Sequence, residues 1–357
     1  MTDHVIITGA DGCVGTALMK LLKEHDVRTT AMVHAADQAD LDARAAKLSE
    51  IAGGPVECQR IELTEEVTIE DAAGATVVHG AGITNFKVRE ERAQQVNVEG
   101  ARKVFDAAAA AGVRRVVALG SLYASGLEPG LVAEGPLPEA AQYANHYERS
   151  KWQIEQDFVG YADRFETTML RPATVFTDDD SGTVSFANAV HHSLALAYIG
   201  LLPILPADPM TPLYLVTADQ TAKAIWAAIS GPNFGWANVS PNAEGAITIK
   251  ELVDAAFIAY ETDADFKRRR TPQPLFADMD TFNTFADAMG PLADPLVAGA
   301  LRSLRPFAPQ MHVTKDIENT VGVQLAGGQA GVSPGDVEQM CHYVLEHGFP
   351  TKKPRQS

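Results

Sequence analysis

The chain has 357 residues, 46% of them hydrophobic, enough to bury the core of one large α/β domain and a smaller unit. Its 29 Lys and Arg against 46 Asp and Glu leave a formal net charge of −17, which argues against a nucleic-acid partner, because such proteins carry a basic footprint. Cys13, Cys58 and Cys341 are too scattered for a disulfide framework or a metal spacing, and each reads as a small buried apolar residue. Asp3, Asp11 and glycines interrupt any early apolar run that would suggest a signal peptide, and no charge-free apolar stretch of about 18 residues suggests a membrane span. The expectation is a cytoplasmic protein.

The first elements are the most informative. An apolar run at Val5, Ile6 and Ile7 enters a turn holding Gly9, Gly12 and Gly15, and residues 16–22 then read as helix. Glycines permit a tight turn and close backbone approach, and a helix N-terminus offers free N–H groups to a pyrophosphate. The spacing is GxxGxxG rather than GxGxxG. A second strand is predicted over 27–33, with its end facing the adenosine ribose of a bound dinucleotide. A carboxylate there would accept from the ribose 2′-hydroxyl and favour NAD. The chain has His34 at that point and no carboxylate before Asp37, while Arg44, in a helical stretch, is a candidate donor to a 2′-phosphate.

A third short strand is predicted over 56–61 and a fourth over 75–79, leading into Gly80, Ala81 and Gly82, whose small side chains let a cofactor lie against the backbone. His79 reads as structural or cofactor-lining rather than catalytic. Residues 95–111 read as a helix with Ala101, Val104, Phe105 and Ala108 as its apolar stripe, ended by Gly112. A fifth strand follows over 113–119, with Gly120 and Ser121 at its end. Strands alternating with helices at this spacing predict a doubly wound, Rossmann-like parallel sheet with ligands at the carboxyl ends of its strands.

Helical sequence resumes over 142–160 and places Tyr147 and Lys151 on one face. A phenol titrates near pH 10 in isolation, and a neighbouring ammonium favours the phenolate and draws that value down. Ser121 can donate to a substrate carbonyl oxygen, and Lys151 can also hold the nicotinamide ribose. The pattern is a proton donor beside a hydride donor.

With these residues assembled, the chain resembles the extended short-chain dehydrogenase/reductase family. The matching stretches are TGADGCVG at 8–15, VVHGAG at 77–82, NVEGARKVFDAA at 97–108, YERSK at 147–151 and LRPATVF at 170–176. The resemblance implies catalytic roles for Ser121, Tyr147 and Lys151, with Asn97 supporting the lysine, partly through a water. It places the adenine-contacting acid on Glu62 and makes the Arg171-Pro172 pair part of the nicotinamide side. The implied cofactor-binding set is Gly9, Asp11, Gly12, Cys13, Val14, Gly15, His34, Arg44, Glu62, Leu63, His79, Gly80, Ala81, Tyr147, Lys151, Pro172, Ala173 and Val175. Within the family, HGAGITNFKVREERAQQVNVEG at 79–100 and NHYERSKWQIE at 145–155 are similar to the branch of fatty acyl-CoA reductases and thioester reductase domains. An arginine commonly stands in that branch where this chain has His34, and Arg44 matches a second one. Those arginines serve NADPH, so NADP(H) is the preferred cofactor, with NAD(H) not excluded. LGS at 119–121 departs from the family's more usual serine before the catalytic Ser or Thr.

In the second half, a strand is predicted over 167–170. Asp178, Asp179 and Asp180 read as a solvated turn, because three consecutive side chains do not converge on a metal; no metal is expected. The apolar, proline-interrupted run 201–213 is expected to line an apolar substrate cleft. Asp219 is predicted to cap a helix running through Ile229, and residues 236–239 and 248–260 to form a strand and a helix with Leu252, Ala255, Ala256 and Ala259 buried. The cationic run 267–270 reads as a solvated face, with contact to the phosphates of coenzyme A or phosphopantetheine as the functional reading. Residues 282–311 are expected to form a helical lid, and 350–357 a frayed tail.

The domain expectation is a cofactor-binding domain over 1–180, with core elements returning around 215–240, a mainly helical substrate region over 181–350, and a tail over 351–357. The leading functional expectation is an NADPH-dependent reductase acting on the carbonyl of an apolar substrate, an acyl thioester reduced to an aldehyde being one form. Such a thioester would arrive on coenzyme A or a carrier protein, and the enzyme would be a monomer or homodimer. The alternatives are a ketone or aldehyde reductase or hydroxysteroid-type dehydrogenase, a sugar-nucleotide epimerase or dehydratase that retains NAD, and a non-catalytic cofactor binder.

Overall fold

A computed structural model describes residues 4–289 and 295–349; the tail expected over 350–357 and part of the expected lid lie outside the described residues. The first half runs β1 (His4–Thr8), α1 (Cys13–Glu24), β2 (Arg28–Val33), α2 (Gln38–Ala52), β3 (Glu57–Arg60), β4 (Thr76–His79), α3 (Glu90–Ala93), a π-helical turn (Gln94–Glu99), α4 (Gly100–Ala110) and β5 (Arg115–Leu119). It continues through β6 (Gly130–Val132), α5 (His146–Val159), β7 (Glu166–Pro172) and β8 (Thr174–Thr177). The second half holds α6 (Ala189–Tyr198), β9 (Ile204–Pro206), β10 (Pro212–Leu213), β11 (Leu215–Thr217), α7 (Ala218–Ser230), β12 (Gly235–Val239), β13 (Ile247–Thr248), α8 (Ile249–Tyr260) and α9 (Ala264–Arg269). It ends with β14 (Leu275–Ala277), α10 (Met279–Met289), α11 (Pro295–Leu304), β15 (Lys315–Ile317), α12 (Thr320–Ala326) and α13 (Pro334–His347).

Seven strands form one parallel sheet in the order β12-β7-β5-β4-β1-β2-β3. Its strands are apolar on both faces because helices cover both. On one side Val5, Ile7, Val78 and Val117 pack with Leu18 and Leu22 of α1 and Ile225 of α7. On the other, Ile6, Val77 and Val116 pack with Val104 and Phe105 of α4 and Phe158 of α5. This alternation along each strand is the period-two signature of a doubly covered sheet. A third cluster joins α6, α8, α10, α11 and α13 and gives the C-terminal region its own mostly helical core. The chain order reverses between β1 and β4, so the crevice for a ligand lies at their carboxyl ends.

Several local expectations change. The helix expected over 95–111 opens as a π turn that carries Asn97, a rare geometry concentrated at functional sites. The helix expected from 142 starts at His146, because the Asn145 side chain accepts from Glu148 N–H and caps it there. Strand β8 was not expected; it pairs in parallel with β11. Asp219 does not cap α7. Thr217 does so in a reciprocal box with Gln220, and Asp219 instead pairs with Lys223 at 2.7 Å. Among the described residues no helix is long and apolar enough to cross a membrane.

Candidate active site

Strand β5 ends at Leu119, and Gly120 and Ser121 follow it toward the crevice. Ser121 is buried and caps the turn over Leu122–Ser125 by accepting from Tyr123 N–H at 3.2 Å. Helix α5 crosses beneath. Its four-residue spacing stacks Tyr147, Lys151 and Glu155 on one buried face. The Ser121 side chain lies beside the Tyr147 phenol and favours its ionised form, and Lys151 Nζ donates to Leu119 O at 2.9 Å. The expected serine, tyrosine and lysine therefore meet at the end of β5.

Their electrostatics differ from the expectation. Burial pushes the Tyr147 phenol up to about 12, with the Ser121 side chain opposing. Burial also pulls Lys151 down to about 8, with the Glu155 carboxylate opposing. The predicted lowering of the phenol by a neighbouring ammonium gives way to a rise by desolvation, and the ammonium is directed at the Leu119 carbonyl.

Sequence reasoning missed Glu155. Its carboxylate and the Arg171 guanidinium are both 0% exposed and meet at 2.8 Å, with Arg171 Nε reaching both carboxylate oxygens at 3.0 Å. Arg171 also donates to Ala133 O and Gly135 O and lies over the Trp236 ring. It is committed to this buried network rather than to the nicotinamide side. A Cβ on Gly120 would lie 2.5 Å from Glu155 Oε1, so glycine is needed to seat the carboxylate under Ser121. The available signal was Glu155 four residues beyond Lys151.

Asn97 does not touch Lys151. Its amide accepts from Ile83 N–H at 2.7 Å and donates to Ile83 O at 3.1 Å and to Ser150 Oγ at 2.9 Å, which ties the loop after β4 to the residue beside Lys151. His79 is buried, bonded to Thr8 Oγ1 at 2.8 Å and edge-on to Phe105. Burial, with the Lys151 charge, drives it down to about 3, which keeps it neutral.

The glycine turn closes on the end of β4. Gly9 has φ +75°, and a Cβ there would lie 2.8 Å from Ala81 N. Gly80 N–H and Ala81 N–H donate to Thr8 O and Thr8 Oγ1. Gly12 is exposed and heads α1 with no side-chain cap, which leaves first-turn N–H groups for an anion; Asp11, Cys13, Val14 and Gly15 sit around it. Leu63 is buried against Gly100. Pro172 ends β7, Ala173 follows it with its N–H on Val239 O, and Val175 lies on β8.

Arg44 pairs with Asp11 and, at 3.1 Å, with Asp40. His34 pairs with Glu62 at 3.0 Å. Burial works against ionisation of Glu62, but the Thr64 N–H and hydroxyl and the nearby His34 hold its carboxyl below the ordinary range. The ribose end is therefore acidic, with its arginine already satisfied by carboxylates. These residues fit NAD better than a 2′-phosphate.

The NAD dependent epimerase/dehydratase family matches residues 5–239. The chain belongs to this family. It is an NAD(H)-using enzyme of the oxidoreductase/epimerase type. A curated relative, the "Uncharacterized sugar epimerase YhfK" of Bacillus subtilis (strain 168), is 28% identical over 189 residues, which span 51% of this chain and 77% of that protein. The terminal R domain from the myxalamid PKS-NRPS pathway superposes with TM-score 0.76 at 18% identity, over 98% of this chain and 93% of that one. MoeE5 in complex with UDP-glucose and NAD superposes with TM-score 0.67 at 15% identity, over 96% and 99%. UDP-glucose 4-epimerase from Bifidobacterium longum in complex with NAD+ and UDP does so with TM-score 0.65 at 15% identity, over 97% and 99%. At these identities the superpositions show the fold alone.

Membership in the epimerase/dehydratase family corrects four expectations. The assignment to the acyl-CoA and thioester reductase branch falls: its motifs at 79–100 and 145–155 build the end of β4, α3, the π turn and α5, in a stretch that the epimerase/dehydratase model matches. With it fall hydride transfer to an apolar carbonyl or acyl thioester, and delivery on coenzyme A or a carrier protein. The NADP(H) preference gives way to NAD, because Arg44 is held by Asp11 and Asp40. In the 267–270 run, Arg268 pairs with Asp265, and Arg269 lies over the Tyr198 ring and donates to Tyr198 O. Among the described residues no His, Cys, Asp and Glu cluster could hold a metal ion.

Proposed function

We propose that the chain interconverts a sugar nucleotide, with a UDP-sugar as the substrate class, by NAD-dependent epimerisation or dehydration. The observation that carries this reading is the Ser121, Tyr147 and Lys151 cluster at the end of β5, in a chain of the epimerase/dehydratase family. MoeE5 and the 4-epimerase, with UDP-glucose and with UDP bound, support the substrate class.

NAD, when bound, supplies the hydride acceptor and a positive charge. With the nicotinamide and Lys151 charges favouring its phenolate against burial, Tyr147 would take the proton of a sugar hydroxyl as that carbon is oxidised to a ketone, and would return it when the ketone is reduced on its other face. Ser121 holds that oxygen. Lys151 keeps a positive charge on the same face of α5 as the phenol below about pH 8 and would hold the nicotinamide ribose. Asn97 positions Ser150 next to Lys151. The first-turn N–H groups from Cys13 onward would take the pyrophosphate, since the Gly12 N–H is spent on Gly9 O, and Asp11 and Glu62 would face the adenosine end. Cofactor binding is assigned to 1–180 with the elements of 215–240, and substrate binding to 181–350. The unpaired Cys13, Cys58 and Cys341 suit a reducing cytoplasm.

The test incubates the NAD-loaded protein with UDP-glucose and with UDP-glucuronate and identifies products by NMR. An epimer or a keto sugar is expected. Unchanged substrates, from protein shown to bind NAD, would sink the proposal.

A further inference from the structure

Lys315 lies 190 residues beyond the turn that follows Ser121, yet its ammonium donates to Ser125 Oγ and to Gly126 O, both at 2.6 Å. It is only 6% exposed. Its backbone is fixed from two sides: β15 pairs with β6 at Lys315 and Gly130, and the Tyr214 hydroxyl donates to Lys315 O. Gln310, five residues earlier, donates to Gly126 O at 3.1 Å, and its side chain lies beside the Glu148 carboxylate, where it favours the ionised form. Glu148 follows Tyr147 directly and accepts from Ala144 N–H and the Asn145 amide. The same Asn145 amide donates to Pro306 O.

The segment 306–315 therefore grips both pieces of backbone that carry the reacting side chains: the turn after Ser121 and the first turn of α5 with Tyr147. Phe307 of this segment also meets Phe86, which packs on Tyr147 and Tyr123. A cation is costly to bury unless it is fully bonded, and here its bonds are spent on main chain and a hydroxyl rather than on a structural carboxylate.

We propose that Lys315 is a positioning residue for the reaction, with Gln310 as its accessory: together they hold the distance and orientation between Ser121 and Tyr147 from the C-terminal region. Burial pulls the Lys315 ammonium down to about 8, with Glu148 and Glu128 opposing, so it stays charged at neutral pH. The proposal rests on the functional reading for its kinetics and on geometry alone for its structural arm.

The experiment compares wild type, Lys315→Met and Gln310→Leu as NAD-loaded full chains. Amide hydrogen exchange should rise about tenfold or more at 121–126 and 144–148 in Lys315→Met, with β1, α1 and β4 unchanged. With UDP-glucose as probe, kcat should fall about tenfold or more while KM stays within about twofold, since displaced reacting groups lose rate before affinity. Gln310→Leu should show the same pattern more weakly, and it decides the matter if Lys315→Met does not fold. Unchanged exchange at both segments, a uniform rise across the sheet, or an unchanged kcat overturns the proposal. If wild type leaves UDP-glucose untouched, the functional reading fails and the exchange arm decides this proposal alone.

Discussion

At the residue scale, the chemistry turns on a phenol whose ionisation burial opposes and a lysine whose charge burial weakens. Tyr147→Phe keeps the ring that packs on Phe86 and removes only the hydroxyl. Turnover should fall by about 10²–10⁴-fold, the usual worth of a positioned acid–base group, while calorimetry shows NAD binding unchanged. A matching loss of NAD binding would make the hydroxyl a cofactor anchor instead. His79 makes a separate statement about stability. Its folded value of about 3 lies below the ordinary 6.5, so the unfolded chain binds the proton first as pH falls. Stability is fully present above about pH 6.5 and is lost as pH falls toward 3. Denaturant titrations across that range should give a shallower acid slope for His79→Gln than for wild type; equal slopes would show that the imidazole finds its proton while folded.

At the element scale, the glycine turn and α5 carry the site for different reasons. The turn works by close approach. A Cβ on Gly15 would overlap Gly9 O and crowd the Ala10 backbone at 2.7 Å. Gly15→Ala should therefore lower both stability, by about 1–3 kcal/mol in chemical denaturation, and NAD affinity, because the first turn of α1 must shift. Full NAD affinity in that variant would mean that the loop yields cheaply. Helix α5 works by periodicity: four-residue steps stack Tyr147, Lys151 and Glu155 whatever the rest of the chain does. The π turn at Gln94–Glu99 obeys neither rule. Its sequence reads as an ordinary helix, and the irregularity appears only where Asn97 must reach Ile83 and Ser150.

At the scale of the whole molecule, cofactor choice is a matter of summed charge near the adenosine end. Asp11, Asp40 and Glu62 converge there, and Arg44 and His34 are paired to them. A 2′-phosphate would add about two negative charges to that set. NAD should bind at least about tenfold more tightly than NADP in titrations at low salt. Equal affinities would show that Arg44 leaves Asp11 and Asp40 to meet the phosphate.

The sequence by itself determined the alternation of strands and helices, the parallel Rossmann-like sheet, the glycine turn at its first crossing and the shared helix face of Tyr147 and Lys151. These follow from neighbours within a few positions: side chains two apart share a strand face, those four apart share a helix face, and glycine admits backbone that other residues resist. Only the tertiary structure decided what lies beneath and around them. Glu155 meets Arg171 because β7 runs beside β5, and Lys315 reaches Ser125 because β15 returns to β6. Arg44 reads from sequence as a phosphate donor and is taken by Asp11, 33 residues earlier, across the first crossing. The reductase-like motifs misled for a different reason. They lie in the half of the chain that carries the glycine turn and α5, which the epimerase/dehydratase family model also spans, so they do not single out one branch.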